Sequence, residues 1–258
     1  MQSPPENHSM SQAVAHDPVR RWAASARGQK LTAIEQLEVA RQLPDLFGRH
    51  FMQIGHWGLG NDWLEGSEML HRAVLITQTT ATGQARVDPQ ALPLASRSVD
   101  AILLPHTLES ASSPHTLLRE VSRVLSERGR LLILGFNPWS LLGTRRWLGL
   151  APRALPSNSH FYSASRVSDW LTLLDFEITS LRRFGAGFPW LPPRGGDQLF
   201  SPAALLQVFS EGYLIAAKKR VTPLHLVGRT QRAQVKPLIT VPVANSVRRE
   251  SEPDSPIS

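Results

Sequence analysis

The chain has 258 residues, of which 41% are hydrophobic, so it can build one large domain or two small ones around a sizeable core. It contains no cysteine, which excludes disulfides, thiolate zinc sites and cysteine nucleophiles. The net charge of +7 is compatible with nucleic-acid binding, but the basic residues are scattered in short groups, and a solvated surface is the simpler interpretation. Apolar runs are strand-sized and the N-terminus lacks a signal-peptide pattern, so we expect a cytoplasmic protein without a membrane span.

Both ends of the chain are polar and contain proline without a sustained hydrophobic period. We expect residues 1–16 to be disordered, residues 17–225 to form the folded domain, and residues 226–258 to be a largely flexible tail. Within the domain, the sequence GFPWLPPRGG at residues 187–196 is typical of a loop, and it is long enough to act as a lid over a pocket.

The first predicted element is a helix over LTAIEQLEVARQLP, residues 31–44. Thr32 can serve as its N-cap, Glu35 completes a capping box, and Pro44 lies just beyond its end. Four elements are predicted next, in chain order: the strand HFMQI at 50–54, a short helix near 61–70, the strand AVLIT at 73–77 and an extended piece near 84–88.

The second half of the domain contains the best-marked helix, which Ser112 or Ser113 caps, with Pro114 in its first turn and Gly129 after its end. It presents an apolar face at helical spacing, formed by Leu117, Leu118, Val121, Val124 and Leu125. The other predicted elements are the strands SVDAILLP at 98–105 and RLLILGF at 130–136, a helix at 165–174, and the strands FEITSLR at 176–182 and YLIAAKK at 213–219.

This alternation of strands and helices predicts an α/β fold, a Rossmann-like three-layer sandwich around a mostly parallel seven-stranded sheet. The last two strands favour an antiparallel hairpin at one edge. Open parallel sheets bind ligands at the carboxyl ends of their strands. The glycine-rich turn after the first strand, in GHWGLG at 55–60, is therefore expected at the ligand site.

The segment LPLASRSVDAILLPHTLESASSPHTLLREVSRVLSERGRLLILGFNPWS, residues 92–140, resembles the middle of the class I S-adenosylmethionine-dependent methyltransferases of the type 11 group. The likeness covers residues 45–140 well and 160–220 loosely. It rests on a turn, a strand acid, an H.LE segment, an E..RVL helix and a glycine, here Leu92-Pro93, Asp100, His106–Glu109, Glu120–Leu125 and Gly129. A narrower resemblance, to an uncharacterised proteobacterial branch, lies in LPDLFGRHFMQIGHWG, LLPHTLE and GFNPWSLLG.

The resemblance implies S-adenosyl-L-methionine as the cofactor and a first motif of an acid followed by glycines at alternate positions. Here Gln53 replaces the acid, and Gly55, Gly58 and Gly60 carry one extra residue between the first two glycines. Glycine lets the backbone approach the cofactor closely. A glutamine can order the loop through hydrogen bonds but without the charge, and the extra residue requires that His56 or Trp57 point elsewhere.

The family's second motif, an acid that holds the ribose hydroxyls, has only Gln78 and threonines in its place. Asp88 matches the family's later acid, which faces the adenine, and Pro89 is its neighbour. We predict that Gln78, Asp88 and Pro89 contact the cofactor.

His106 follows the fourth strand, where it could act as a general base or orient a substrate, or could simply pack or cap. Glu109 could share the substrate rim or be a solvated helix residue. Trp139 could line a substrate pocket, whereas Asn137 more simply caps a helix that starts at Pro138. The histidines are dispersed, and no metal-ligand spacing occurs.

The resemblance therefore implies a methyltransferase, and we expect it to act on an unidentified small-molecule acceptor. If that acceptor is an alcohol, we expect His106 to take its proton. A degenerate methyltransferase fold that serves as a binding or regulatory module is the alternative, because both acidic cofactor contacts are missing. A nucleic-acid methyltransferase is a third interpretation, suggested by the charge alone.

Overall fold

The computed structural model describes residues 23–57, 62–77, 83–140, 143–144, 148, 160–185 and 210–220. All of them belong to one compact unit, Met1–Thr222. The predictions for the N-terminal 16 residues, the lid at 187–196 and the tail at 226–258 lie outside the described residues. Within the described ranges, none of the helices combines the length and the apolar character that a membrane crossing requires.

The helices of the described ranges are α1 (Ala26–Ala40), a single turn α2 (Thr107–Ser110), α3 (Pro114–Val124) and α4 (Ala164–Leu173). Short 3-10 turns occur at Leu43–Asp45 and Asp62–Leu64. The strands are β1 (His50–Ile54), β2 (His71–Ile76), β3 (Ala85–Arg86), β4 (Val99–Pro105), β5 (Leu125–Phe136), β6 (Phe176–Phe184) and β7 (Gly212–Lys219).

The strands form one seven-stranded sheet in the order β3-β2-β1-β4-β5-β7-β6. Neighbouring strands from β3 to β5 pair in parallel, and β7 is antiparallel to both β5 and β6. The mostly parallel sheet with an antiparallel pair at one edge is therefore confirmed. The chain order reverses between β1 and β4, which places a switch point beside the end of β1.

Alternation along the central strands divides the core into two layers. On β4, Ala101 and Leu103 face one side, while Ile102 and Leu104 face the other. The layer under α3 and α4, which we call the α3 layer, contains the whole predicted apolar face of α3. The opposite layer, under α1, which we call the α1 layer, includes Phe51 and several other aromatic side chains.

The first helix differs from its prediction. It begins after Ser25, whose hydroxyl accepts the N–H of Gly28 at 3.1 Å, and so starts about two turns before the predicted cap. Thr32 consequently lies inside the helix rather than at its N-cap. Glu35 is also internal and fully buried, so the predicted capping box is wrong: its carboxylate has partners far away in the sequence.

Two other boundaries need correction. The helix predicted near residues 61–70 is represented, among the described residues, by the 3-10 turn Asp62–Leu64 alone. Gly129 does not follow a helix, because α3 ends at Val124 and β5 already begins at Leu125. The pairing of β5 with β4 is irregular there, jumping from Leu125 to Arg130, so the glycine lies in a bulged start of the strand.

Candidate functional site

A small pocket lies at the carboxyl ends of β1, β2 and β4. Its walls come from the segments that directly follow these strands: Gly55, His56, Thr77, Pro105, Thr107 and Ser110. Parallel α/β sheets bind their ligands at this edge, next to the switch in strand order.

Gly55 forms the part of the pocket that only a glycine can form. Its φ of 93° lies in the left-handed region, and a Cβ there would overlap the hydroxyl of Thr107. Thr107 donates that hydroxyl to the carbonyl of Ile54 at 2.5 Å, so the segments after β1 and β4 are tied together beneath the pocket. The glycine is therefore required for the close packing of these two segments, and a cofactor contact at Gly55 stays a prediction.

Gln53 is fully buried at the end of β1. Its Nε2 donates to the carbonyl of Gly55 at 3.0 Å, so the glutamine orders the loop as a donor. Its Oε1 is buried, and no hydrogen-bond partner for it occurs among the described residues. A buried acceptor of this kind beside Gly55 fits a ligand that brings an N–H or O–H donor.

The other predicted cofactor residues are only partly described. Asp88 is exposed two residues after β3, where its carboxylate accepts the N–H of Gln90 at 2.8 Å, and Pro89 is half-buried beside it. Gly58, Gly60 and Gln78 lie outside the described residues. Cofactor contacts from these five positions stay predictions.

The most unusual feature near the pocket is a buried charged cluster, the Glu35–His106–Glu109 network. Nε2 of His106 lies 2.9 Å from Oε1 of Glu35, and its Nδ1 lies 3.1 Å from Oε2 of Glu109. The side chains are buried, with His106 only 5% exposed. The histidine adopts a left-handed φ of 52°, directly after β4, and this turn directs the chain from the strand into α2.

Aromatic and backbone groups complete the network. The indole N–H of Trp57 donates to Oε2 of Glu35 at 3.1 Å, and the backbone N–H of Phe136 donates to Oε1 of Glu109 at 2.5 Å. The rings of Trp57 and Phe136 also lie 4.2 and 4.1 Å from the imidazole, centroid to centroid. Four carboxylate oxygens therefore each have a donor, as buried charges require.

The ionisation of the network follows from its partners. Both nitrogens of His106 lie within hydrogen-bond distance of a carboxylate oxygen, an arrangement that favours the doubly protonated imidazolium. Burial opposes that charge and lowers the pKa of His106, but the charges of Glu109 and Glu35 and their hydrogen bonds raise it to about 10. Among the described residues, no group of His, Asp and Glu side chains is arranged to hold a metal ion.

The structure therefore brings together two of the residues predicted for catalysis and substrate binding, His106 and Glu109, but it places them inside the protein. A role of His106 as a base stays a prediction, and it requires the imidazole to leave one of its carboxylates. Trp139 lies apart from this network: it is 62% exposed and follows shortly after β5. Its backbone N–H donates to Oδ1 of Asn137 at 3.1 Å. Asn137 thus caps its own turn.

Two members of the site escaped the sequence analysis. Glu35 satisfied a local capping pattern, which concealed its partners. Trp57 stands where the family has its second glycine, and the departure from the motif was the available signal. Its ring is buried in the α1 layer, so the extra residue of the loop is accommodated by turning a tryptophan into the core.

This chain resembles known proteins in sequence. A family model described as "Methyltransferase domain" matches residues 67–133. The uncharacterised protein YafS of Escherichia coli K12 is 37% identical over 181 residues, which cover 70% of this chain and 72% of YafS.

Solved structures show the same fold at low sequence identity. A S-adenosylmethionine-dependent methyltransferase of Thermotoga maritima, named a possible histamine N-methyltransferase, superposes with a TM-score of 0.55 at 16% identity, covering 82% of this chain and 99% of that one. A S-adenosylmethionine-dependent methyltransferase of Archaeoglobus fulgidus gives a TM-score of 0.53 at 14% identity, covering 72% and 94%. With the match to YafS, the chain belongs to the methyltransferase-domain family, whose cofactor is S-adenosyl-L-methionine.

Proposed function

We propose that this protein is an S-adenosylmethionine-dependent methyltransferase that acts on a small-molecule acceptor. The observation that carries the proposal is the pocket at the carboxyl ends of β1, β2 and β4, which Gly55, Thr77 and Thr107 line. The family match supports the cofactor, and the position of the pocket agrees with where the fold binds ligands.

The chain's own residues would perform binding and orientation. Gly55 and the pocket-lining Thr107 would contact the cofactor, and Gln53 would offer it a buried acceptor. The bound cofactor supplies an activated methyl group, so the protein's task is to align an acceptor for in-line attack and to exclude water. Trp139, exposed after β5, is the proposed contact for the acceptor.

A small acceptor fits the pocket better than a nucleic acid does. The pocket is a recess between the ends of three strands rather than a groove that follows a phosphate backbone. The alternative of a cofactor-free binding module rests on the loss of both acidic cofactor contacts, with Gln53 in place of the first and Gln78 and threonines in place of the second. Cofactor binding decides between the two.

The test is calorimetric titration of the protein with S-adenosylmethionine and S-adenosylhomocysteine. Thr77→Arg places a long cation in the pocket wall, whereas Thr172→Arg makes the same change at an exposed position of α4 that does not line the pocket. We expect micromolar binding that Thr77→Arg abolishes and Thr172→Arg preserves. An absence of heat at millimolar ligand would contradict the proposal and leave a binding module.

A further inference from the structure

Glu35 connects the two chain segments that flank the pocket. One of its oxygens accepts from Trp57, which follows β1, and the other accepts from His106, which follows β4. The residues next to these partners, His56 and Thr107, line the pocket itself. A single side chain of α1 therefore fixes both segments from behind the pocket wall.

The position of the Glu35 carboxylate matters because β1 carries a glutamine, Gln53, where the family carries an acid. The resemblance places a loop-ordering acid at position 53, where this chain has a neutral glutamine that acts as a donor to Gly55. An acid accepts hydrogen bonds from the loop, and Glu35 does so from the opposite side, through the indole of Trp57. Trp57 in place of the second glycine supplies the donor that such a contact needs.

We propose that Glu35 is a positioning residue of the cofactor loop, which supplies from α1 the carboxylate that position 53 has lost and so orders Gly55–Trp57 together with Gln53. Through His106, Glu35 also links the loop to the segment after β4, and Glu109 holds the imidazole from its other side. The inference deepens the proposed function and rests on it for the identity of the ligand.

A matched residue on the same helix separates this role from ordinary burial. Glu38, one turn further along α1, is also buried, at 2% exposure, but it pairs with Arg41 and Arg182, each at 2.6 Å. Its neutralising partners are guanidinium groups outside the pocket segments. Removing Glu38 therefore tests the cost of losing a buried carboxylate, and removing Glu35 adds the loss of loop order.

The conservative variant makes a sharper prediction. Glu35→Gln keeps one acceptor for Trp57 and turns one donor toward His106, an arrangement that works only if Nε2 of His106 is an unprotonated acceptor. If His106 were protonated at Nε2, its N–H would face the amide N–H of the new glutamine, and two donors would meet without an acceptor. The other charged or titratable groups near the imidazole side are Glu109 on α2 and, beyond it, Tyr162 and Tyr213, whose pKa values burial raises, so both tyrosines stay neutral.

The experiment compares wild type, Glu35→Ala, Glu35→Gln and Glu38→Ala. Hydrogen exchange of the backbone amides at residues 55–57, without ligand, reports loop order. Calorimetry with S-adenosylhomocysteine at pH 6 and pH 8.5 reports affinity. We expect Glu35→Ala to speed loop exchange and weaken binding at least tenfold. Glu35→Gln should bind like wild type at pH 8.5 and several-fold more weakly at pH 6, whereas wild type and Glu38→Ala should change little.

Equal loop exchange in Glu35→Ala and wild type would overturn the inference, as would the same acceleration in Glu38→Ala. Where Glu35→Ala does not fold, the pH dependence of Glu35→Gln decides, because a merely structural carboxylate would give no such dependence. If wild type itself does not bind S-adenosylhomocysteine, the proposed function fails, and the exchange measurement still judges the role of Glu35 in the loop.

Discussion

The two layers of the core are built from different chemistry. The α3 layer packs aliphatic residues such as Leu118 and Val121 between α3 and the sheet, with their side chains fully buried. The α1 layer buries Glu35 and His106 among aromatic rings, directly behind the pocket. Apolar packing needs no specific partner, whereas a buried ion must be matched by another group. The difference indicates that the α3 layer serves folding and that the α1 layer also shapes the site.

The largest expected effect is in the α3 layer. Leu118→Ala removes a side chain that is 0% exposed and leaves a cavity under α3. We expect a loss of about 3 kcal/mol in the free energy of unfolding. Urea denaturation followed by circular dichroism measures it. Affinity for S-adenosylhomocysteine should not change in the folded protein, and a weakened affinity would contradict the division between the layers.

The second effect belongs to the α1 layer and depends on pH. Because the pKa of His106 is raised to about 10, the folded protein keeps a proton that the unfolded chain releases above its ordinary pKa of 6.5. The stabilisation is fully present below pH 6.5 and is lost as the pH rises toward 10. We expect the free energy of unfolding to fall as the pH rises from 7 to 9, by on the order of 1 kcal/mol per pH unit.

Urea denaturation across that pH range provides the measurement. The control is Glu35→Gln, in which one of the two charges that raise the pKa of His106 is gone, so the slope should be smaller. A wild-type slope of zero would show that His106 is not held as an imidazolium.

The smallest effect comes from a matched pair of helix caps. Ser25 caps α1 by accepting from Gly28 at 3.1 Å, and Ser163 caps α4 by accepting from Arg166 at 3.3 Å. Replacing either serine by alanine should cost about 1 kcal/mol of stability. Only Ser25→Ala should also weaken S-adenosylhomocysteine binding, by a few-fold, because α1 carries Glu35. Equal affinities in the two variants, measured by calorimetry, would remove the distinction between the layers.

Much of the fold could be predicted because its signals are local. β1 and β4 are short apolar runs, and α3 has a proline in its first turn and an apolar face at helical spacing. Ser113 stands at the N-cap position as predicted, but its hydroxyl pairs with Thr116 and makes no capping hydrogen bond to the backbone. Each pattern reports on neighbours a few positions away. For the same reason Gly129 was misleading: glycine is typical after a helix, but here α3 gives way directly to β5, and the bulge depends on pairing with β4.

The site was predictable in part. Gly55 followed from its motif, because the strand-to-loop turn is encoded within a few residues. Glu35 did not, since its partner His106 lies 71 positions further along the chain. The same glutamate three residues after a threonine satisfies a helix-start pattern, and sequence alone had no means to weigh that against an ion pair in the core. A buried charge is stabilised by residues that are distant in the sequence, and these residues become neighbours only in the folded chain.

The place of β7 has a consequence for the order in which the sheet is completed during synthesis. β7 is the last strand of the described chain, yet it lies between β5 and β6, and in the sheet β6 pairs with β7. Until residues 212–219 have been made, β5 has a free edge and β6 has no neighbour to join. The nascent domain therefore exposes an open strand edge late in translation, a state prone to association with other chains. A chain truncated before Gly212 would retain that edge permanently, so aggregation rather than partial function is its expected fate.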